Sequence, residues 1–203
     1  MNIMSLFNAL PGACAQGLIW GIMAIGVYIT YKILDLADLT VDGTMATGGA
    51  VCIMMIRSGH SIGLSLLCAV LAGALAGLVT GIFHTAMGIP AILAGILTQL
   101  GLYSINLRIL ANSSNQAVSV DKYSLLVSLR YIKGVPFYKN TILICIVILI
   151  VLIALLYWFF GTELGCSIRA TGSNPNMSRA QGINTDFCKI LGLMLSKIGR
   201  AHV

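Results

Sequence analysis

Carboxylates and hydroxyls follow one another closely between two apolar runs near the N-terminus. These residues are Asp35, Asp38, Thr40, Asp42, Thr44 and Thr47. A carboxylate beside a hydroxyl-rich helix start could pair with the ammonium of a zwitterion, while the helix N-terminus faces the carboxylate of the same molecule. Two structures fit this pattern. Asp42 can cap a helix that starts at Gly43, or the second apolar segment is a broken membrane helix whose N-terminus and hydroxyls face a solute near the midplane.

A second polar set lies on a later apolar run, residues 89–110. It places Gly95, Gln99, Tyr103 and Asn106 on one helical face, with Thr98 and Ser104 beside it. Polar groups are costly in lipid, so this face should point into protein or a wet cavity. It either makes interhelical hydrogen bonds or lines a permeation path. From both sets, our candidate solute path consists of Asp38, Thr40, Asp42, Thr44, Gln99, Tyr103 and Asn106.

The elements that position these side chains must be membrane helices. Of the 203 residues, 58% are hydrophobic and 9% are charged, whereas a soluble domain carries about 25% charged residues. Apolar runs long enough to cross or enter a bilayer cover residues 13–34, 44–56, 62–83, 89–110 and 141–160, and a sixth begins at Asp186. The sequence therefore predicts an all-α, polytopic transmembrane helical bundle. Its net charge of +6 is scattered, which favours anionic lipid headgroups over nucleic acid as the counter-charge.

Small residues repeat at every fourth position of the third run, in the order Ala69, Gly73, Gly77 and Gly81. Helices in lipid associate closely where such residues remove side-chain bulk. We expect Gly73, Gly77 and Gly81 to form a helix-packing surface.

A compact polar element follows the fifth run. Asn174 suits an N-cap, Pro175 suits the first helical position and Gly182 suits the helix exit, which predicts a helix over residues 175–181 at the membrane surface. A preceding turn, residues 167–171, would be separated from it by the breaker pair Gly172-Ser173. A linker between two spans needs no such architecture, whereas one that fits a pocket on another protein does.

This element resembles the cytoplasmic coupling loop of ABC importer permeases, in the class that serves branched-chain amino acids, ribose-type sugars and related solutes. The pattern is Thr162-x-x-Gly165-x-x-Ile168-Arg169-Ala170-x-Gly172-x-Asn174, then Ala180-x-Gly182-Ile183-Asn184. Residues 17–26, 38–49 and 90–98 also resemble the family, so the resemblance covers about residues 12–196. It implies a type II ABC importer permease fold in the cytoplasmic membrane of a prokaryote. It assigns ATPase coupling to Gly165, Arg169, Ala170, Gly172, Asn174, Pro175, Arg179, Ala180 and Gly182.

The energy source and partners follow from the motifs and the resemblance together. The sequence contains no G-x-x-x-x-G-K-[ST] or H-E-x-x-H motif, so we expect no ATP site, enzyme activity, metal or cofactor in this chain. The resemblance implies an ABC ATPase subunit, an extracytoplasmic solute-binding protein and a second permease copy. The polar connector 111–140 either forms a solvated helix at the membrane surface, or gates the pathway or receives the solute-binding protein. An ATP-independent secondary transporter or channel is the alternative. It would need intramembrane charges, which runs three to five nearly lack.

The solute expectation comes from residues 38–44. This stretch resembles a branch of the family that includes tryptophan or tyrosine uptake systems. We therefore expect an amino acid, and an aromatic one, with a sugar or nucleoside as the rival.

Orientation and the chain end complete the expectations. A cytoplasmic coupling loop after five spans puts the N-terminus outside, although the basic residues do not follow the positive-inside tendency.

Only eleven residues run from Asp186 to Ser196, roughly 16 Å of helix and about half of a hydrocarbon core. Residues 197–203 match the translation of a widely used sequencing adapter. We expect residues 1–196 to form one permease domain that is incomplete at its C-terminus, with loop 161–183 inside it, and residues 197–203 to be foreign.

Overall fold

The chain is a helical bundle in the computed structural model, which describes residues 3–110 and 141–200. A π-helical turn, Ile29–Ile33, extends the first helix. The α-helices are α1 Ile3–Tyr28, α2 Val41–Arg57, α3 Ile62–Thr85, α4 Ala91–Ile109, α5 Thr141–Phe160, α6 Glu163–Ser173, α7 Pro175–Ala180 and α8 Thr185–Arg200. No strand occurs in the two described ranges, and the predicted all-α class is confirmed. The predicted connector 111–140 lies outside the described residues.

Helix lengths separate α2 from the other predicted spans. Within the described ranges, the segments long and apolar enough to cross a membrane are Gly12–Ile33, Ile62–Thr85, Ala91–Ile109 and Ile142–Phe160. They correspond to the predicted first, third, fourth and fifth runs. The second run forms α2, whose 17 residues extend only about 26 Å, less than the hydrocarbon core of about 30 Å.

The most extensive packing between two helices of the described ranges joins α3 to α8. A Cβ atom on Gly77 would lie 2.6 Å from the Cα of Met194, and one on Gly81 would lie 2.9 Å from the Cγ1 of Ile190. Gly73 is also buried. The order of these contacts makes the two helices antiparallel. The predicted small-residue surface therefore lies against α8, where the backbones approach because no side chain intervenes.

A second packing centre ties the end of α1 to α6 and α8. Its buried members are Ile29, Leu34, Ile168 and Cys188. A Cβ atom on Gly192 of α8 would lie 2.5 Å from the Cδ1 of Leu34. The residues just before the α1–α2 connection are thus held by two other helices.

Candidate functional site

The backbone leaves helical geometry between α1 and α2. The amide of Leu36 donates to the carbonyl of Thr30 at 3.0 Å, and Asp35 has a φ of 53°, in the left-handed region that residues other than glycine rarely adopt. Residues 37–40 are not helical, yet Thr40 is fully buried. Because α2 has 17 residues and its antiparallel neighbour α3 has 24, α2 begins about 10 Å below the end of α3. The helix α2 is therefore short and has a buried start.

Asp38, rather than Asp42, bonds the start of this helix. The Oδ1 of Asp38 accepts hydrogen bonds from the amide of Thr40 at 3.1 Å and from its hydroxyl at 2.6 Å. The helix begins at Val41, and Asp42 is an exposed residue of its first turn. The predicted cap by Asp42 is wrong. The carboxylate of Asp38 instead accepts the amide of Thr40, two residues later, and so closes a tight turn just before the helix.

Four elements bring polar side chains together at this break. The side chain of Asp38 is 2% exposed, and its Oδ2 lies 3.9 Å from the Nζ of Lys197 on α8. The ammonium of Lys197 donates to the Oγ1 of Thr80 on α3 at 2.5 Å, and the hydroxyls of Thr80 and Thr98 are 3.1 Å apart. We call Asp38, Thr80, Thr98 and Lys197 the buried polar cluster.

Thr80 was missed in the sequence. It follows Gly77 by three positions and Gly73 by seven, so it lies on the face of α3 that packs against other helices. A hydroxyl on a small-residue face was the signal that could have identified it.

The start of α4 closes the break from one side. A Cβ atom on Gly95 would lie 3.2 Å from the amide nitrogen of Leu39 and 3.6 Å from the Oδ1 of Asp38. One on Gly43 would lie 3.2 Å from the Cγ of Gln99. Gly95 and Gln99 therefore lie beside the buried start of α2.

Thr44 is buried but bonds within its own helix. Its hydroxyl donates to the carbonyl of Thr40 or Val41, both at 3.0 Å. The hydrogen of the Thr44 hydroxyl is therefore donated to a backbone carbonyl at the start of α2.

The predicted polar face of α4 is divided in the structure. Asn106 is 7% exposed, and its Oδ1 has no hydrogen-bond partner among the described residues. Tyr103 is 65% exposed, and Ser104 is exposed beside it. One row of buried residues on this helix recurs every four positions. Tyr103 comes one position after a member of that row, so its side chain lies about 100° away from the row around the helix. That row consists of Ala94, Thr98, Leu102 and Asn106.

The polar element after α5 contains a longer first helix than predicted. Its N-cap is Thr162, whose hydroxyl accepts from the amide of Gly165 at 3.4 Å. The helix α6 continues through Gly172 and Ser173, and the break falls at Asn174, with φ −154° and ψ 96°. The predicted breaker pair is therefore wrong.

Close approach to α1 explains the glycine in α6. A Cβ atom on Gly172 would overlap the carbonyl oxygen of Ile33 and lie 2.8 Å from its carbonyl carbon. It would also lie 3.0 Å from the Cα of Leu34. Gly165 is pressed in the same way against the end of α5, where its Cβ would lie 2.5 Å from the Cα of Phe160. Both glycines are required by packing rather than by a helix end.

The second helix of this element has the predicted ends. The side chain of Asn174 accepts from the amide of Met177 at 3.1 Å, and Pro175 is the first residue of α7. Gln181 is the C-cap residue, and Gly182 has a φ of 85°, which favours glycine. The helix predicted over residues 175–181 is present as Pro175–Ala180.

The two arginines of this element have different surroundings. Arg179 donates from Nε to the Oγ1 of Thr185 at 2.7 Å and pairs with Asp186 at 3.2 Å. These bonds fix α7 against the start of α8. Arg169 is exposed and, with Lys32, lines an open cavity of about 570 Å³ between α6 and the end of α1. The end of α1 and the polar element thus lie on the same side of the bundle.

Comparison with known proteins gives two kinds of match. A family described as "Branched-chain amino acid transport system / permease component" matches residues 11–199. The chain is 39% identical over 181 residues to the "Tyrosine transport system permease protein" of Clostridioides difficile (strain R20291), a match that covers 89% of this chain and 58% of that relative. It is 32% identical over 193 residues to the "Uncharacterized protein RP368" of Rickettsia prowazekii (strain Madrid E), covering 93% of this chain and 64% of that relative.

The chain spans about three fifths of the length of these curated relatives. No experimentally solved structure shows a significant match to it.

Proposed function

Because the chain belongs to the family of branched-chain amino acid transport system permease components, we propose that it is the membrane subunit of an ATP-driven importer. Its solute is an aromatic amino acid, and it lies in the cytoplasmic membrane of a prokaryote. Four apolar helices of membrane-spanning length in the described ranges agree with a multi-pass protein. The energy comes from a separate ABC ATPase subunit.

One contact carries this proposal, the approach of Gly172 on α6 to the backbone of Ile33. Ile33 lies only five residues before Asp38, which bonds the buried start of α2. A displacement of α6 would therefore be transmitted through Leu34 to the break, because packed backbones cannot interpenetrate. Conversion of ATPase movement into solute movement requires a surface element that is joined to the buried helix break in this way.

The proposed importer contains three partners of this chain. We propose that residues 172–182 dock on the ATPase subunit and that Arg169 and Arg179 orient this contact by hydrogen bonds or ion pairs. A second permease copy completes the membrane part, and an extracytoplasmic solute-binding protein delivers the solute. Loop 161–183 belongs to a single permease domain that includes residues 1–196.

The solute class rests on chemistry and on a relative. The carboxylate of Asp38 is buried beside the N-terminus of α2, so the two could face the ammonium and the carboxylate of one zwitterion. A relative with 39% identity is named as a tyrosine transport permease. A sugar or nucleoside would use neither charge.

Reconstitution tests the proposal directly. The full-length gene product is placed in liposomes with the ATPase and solute-binding protein that we expect neighbouring genes to encode, and uptake of labelled tyrosine, tryptophan and ribose is measured with and without ATP. We expect ATP-dependent uptake of an aromatic amino acid, and none when the ATPase carries a disabled P-loop lysine. Uptake that persists without ATP would favour the secondary transporter, whereas tight binding of ribose by the solute-binding protein would exclude the aromatic solute.

Docking of the loop is tested in the same preparation. A cysteine placed at the exposed position of Asn176 should crosslink to the ATPase subunit, whereas one placed at the exposed position of Ser104 on α4 should not. Equal crosslinking from both positions would contradict the assigned surface.

A further inference from the structure

We infer that the buried polar cluster is a binding site for a primary ammonium group, with Thr80 and Thr98 as positioning residues in addition to Asp38. The inference rests on the proposed function, since the ammonium that the site receives during transport would be that of the amino acid. In the present chain, the Lys197 ammonium occupies this site and marks where the ammonium of a solute would bind.

The geometry of Asp38 shows why the site takes a cation. Both hydrogen bonds from Thr40 go to the Oδ1 of Asp38, and its Oδ2 is the carboxylate atom that faces the Lys197 ammonium at 3.9 Å. A carboxylate that is 2% exposed is costly without a nearby positive charge, because the surroundings cannot solvate it as water does. The site is thus built for a positive group at one side of Asp38.

The threonines make the site suitable for a primary ammonium in particular. The hydroxyl of Thr80 donates to the carbonyl of Ala76 at 2.9 Å, which leaves its oxygen free to accept the bond from the Lys197 ammonium at 2.5 Å. Thr98 donates to the carbonyl of Ala94 at 2.9 Å and lies 3.1 Å from Thr80. A quaternary ammonium has no N–H to donate, so it could not replace this ammonium.

The first experiment removes the tethered ammonium. Lys197→Ala in the full chain deletes the side chain beyond Cβ, and n-propylammonium can return the missing atoms. We expect n-propylammonium to raise the unfolding temperature of the Lys197→Ala protein in detergent. In an Asp38→Asn, Lys197→Ala protein, the half-saturating concentration should be roughly tenfold higher or more, since the attraction between two buried opposite charges is lost.

Matched ligands and a matched variant sharpen this test. Propionate and a trimethylpropylammonium salt should have no effect on Lys197→Ala. Lys197→Met fills the same space without charge and should not respond to n-propylammonium. Equal stabilisation of the proteins with and without the Asp38 carboxylate would overturn the inference.

The second experiment does not depend on the folding of a Lys197 variant. In the reconstituted full-length transporter, Thr80→Val and Thr98→Val should raise the solute concentration for half-maximal uptake about tenfold. Ser65→Ala removes another buried hydroxyl of α3, one that bonds within its own helix, and should leave uptake unchanged. Equal effects of Thr80→Val and Ser65→Ala would sink the inference.

The two experiments separate this inference from the proposed function. If the transporter imports an aromatic amino acid but Thr80→Val and Asp38→Asn change neither readout, the ammonium site is wrong and the importer stands. If n-propylammonium binds as expected but no amino acid is imported with ATP, the proposed function is wrong and the ammonium site stands.

Discussion

The contact between Gly172 and the end of α1 can be tested by adding one methyl group. Gly172→Ala places a Cβ that would overlap the carbonyl oxygen of Ile33 and lie 2.8 Å from its carbonyl carbon. Ordinary van der Waals contact begins at 3.4 Å, so the carbonyl carbon alone requires a separation of about 0.6 Å, and the overlapped carbonyl oxygen requires more. No rotation of a side chain relieves this overlap, because both opposing atoms belong to the backbone.

The magnitude follows from two opposing effects. Overpacking of a tight interior contact costs about 1–3 kcal/mol, whereas alanine is favoured over glycine in a helix by up to about 1 kcal/mol. A net loss of about 1–2 kcal/mol corresponds to a rise of about 5- to 30-fold in the population with α6 separated from α1. This separation should uncouple ATP turnover from transport in the assembled importer.

Cys188 provides a local readout of this separation. Its side chain is buried in the cluster that joins Leu34 and Ile168, so alkylation by N-ethylmaleimide requires the cluster to open. In the Gly172→Ala protein, we expect site-resolved mass spectrometry to show alkylation of Cys188 about 5- to 30-fold faster. Cys145, which is buried in the first turns of α5, should keep its rate.

Gly63→Ala is the matched control for this experiment. A Cβ on Gly63 would meet no atom within 4 Å, so this variant adds the same methyl group without a clash. If Cys188 is alkylated at the same rate in the Gly172→Ala and Gly63→Ala proteins, the reasoning from the Ile33 contact is refuted.

Three further outcomes follow from single positions. Gly182→Val puts a β-branched residue at a φ of 85°, which costs about 1–2 kcal/mol or more. Solute-stimulated ATP turnover should therefore fall while membrane insertion stays normal, and unchanged turnover would contradict this expectation. Gly77→Ala should lower the unfolding temperature by at least about 2–4 °C because its Cβ would lie 2.6 Å from the Cα of Met194; Gly101→Ala, which meets nothing within 4 Å, should not, and equal temperatures would contradict the packing argument. Asn106→Leu removes a buried oxygen that has no partner in the described part of the chain, so it should stabilise the protein by about 1 kcal/mol. It should also slow solute uptake, and a lower unfolding temperature with normal uptake would contradict both expectations.

Local chemistry made several elements readable from the sequence alone. Apolar runs predicted the membrane helices because their length and hydropathy are properties of continuous segments. The ends of α7 were predicted from Asn174, Pro175 and Gly182, since capping and positive φ depend on a residue and its immediate neighbours. The motif around Gly165 and Gly172 also indicated the family that the later comparison showed.

Only the tertiary structure decided which residues meet. Gly172 looked like a helix breaker, yet its contact with Ile33 shows that the glycine permits close approach within a continuous helix. Asp38 is the buried carboxylate and Asp42 is exposed, a choice that depends on where α4 and α8 pack. The contact of Lys197 with Thr80 joins residues 117 positions apart. Such contacts arise from the packing of separate helices, so neither periodicity nor capping along the chain could have predicted them.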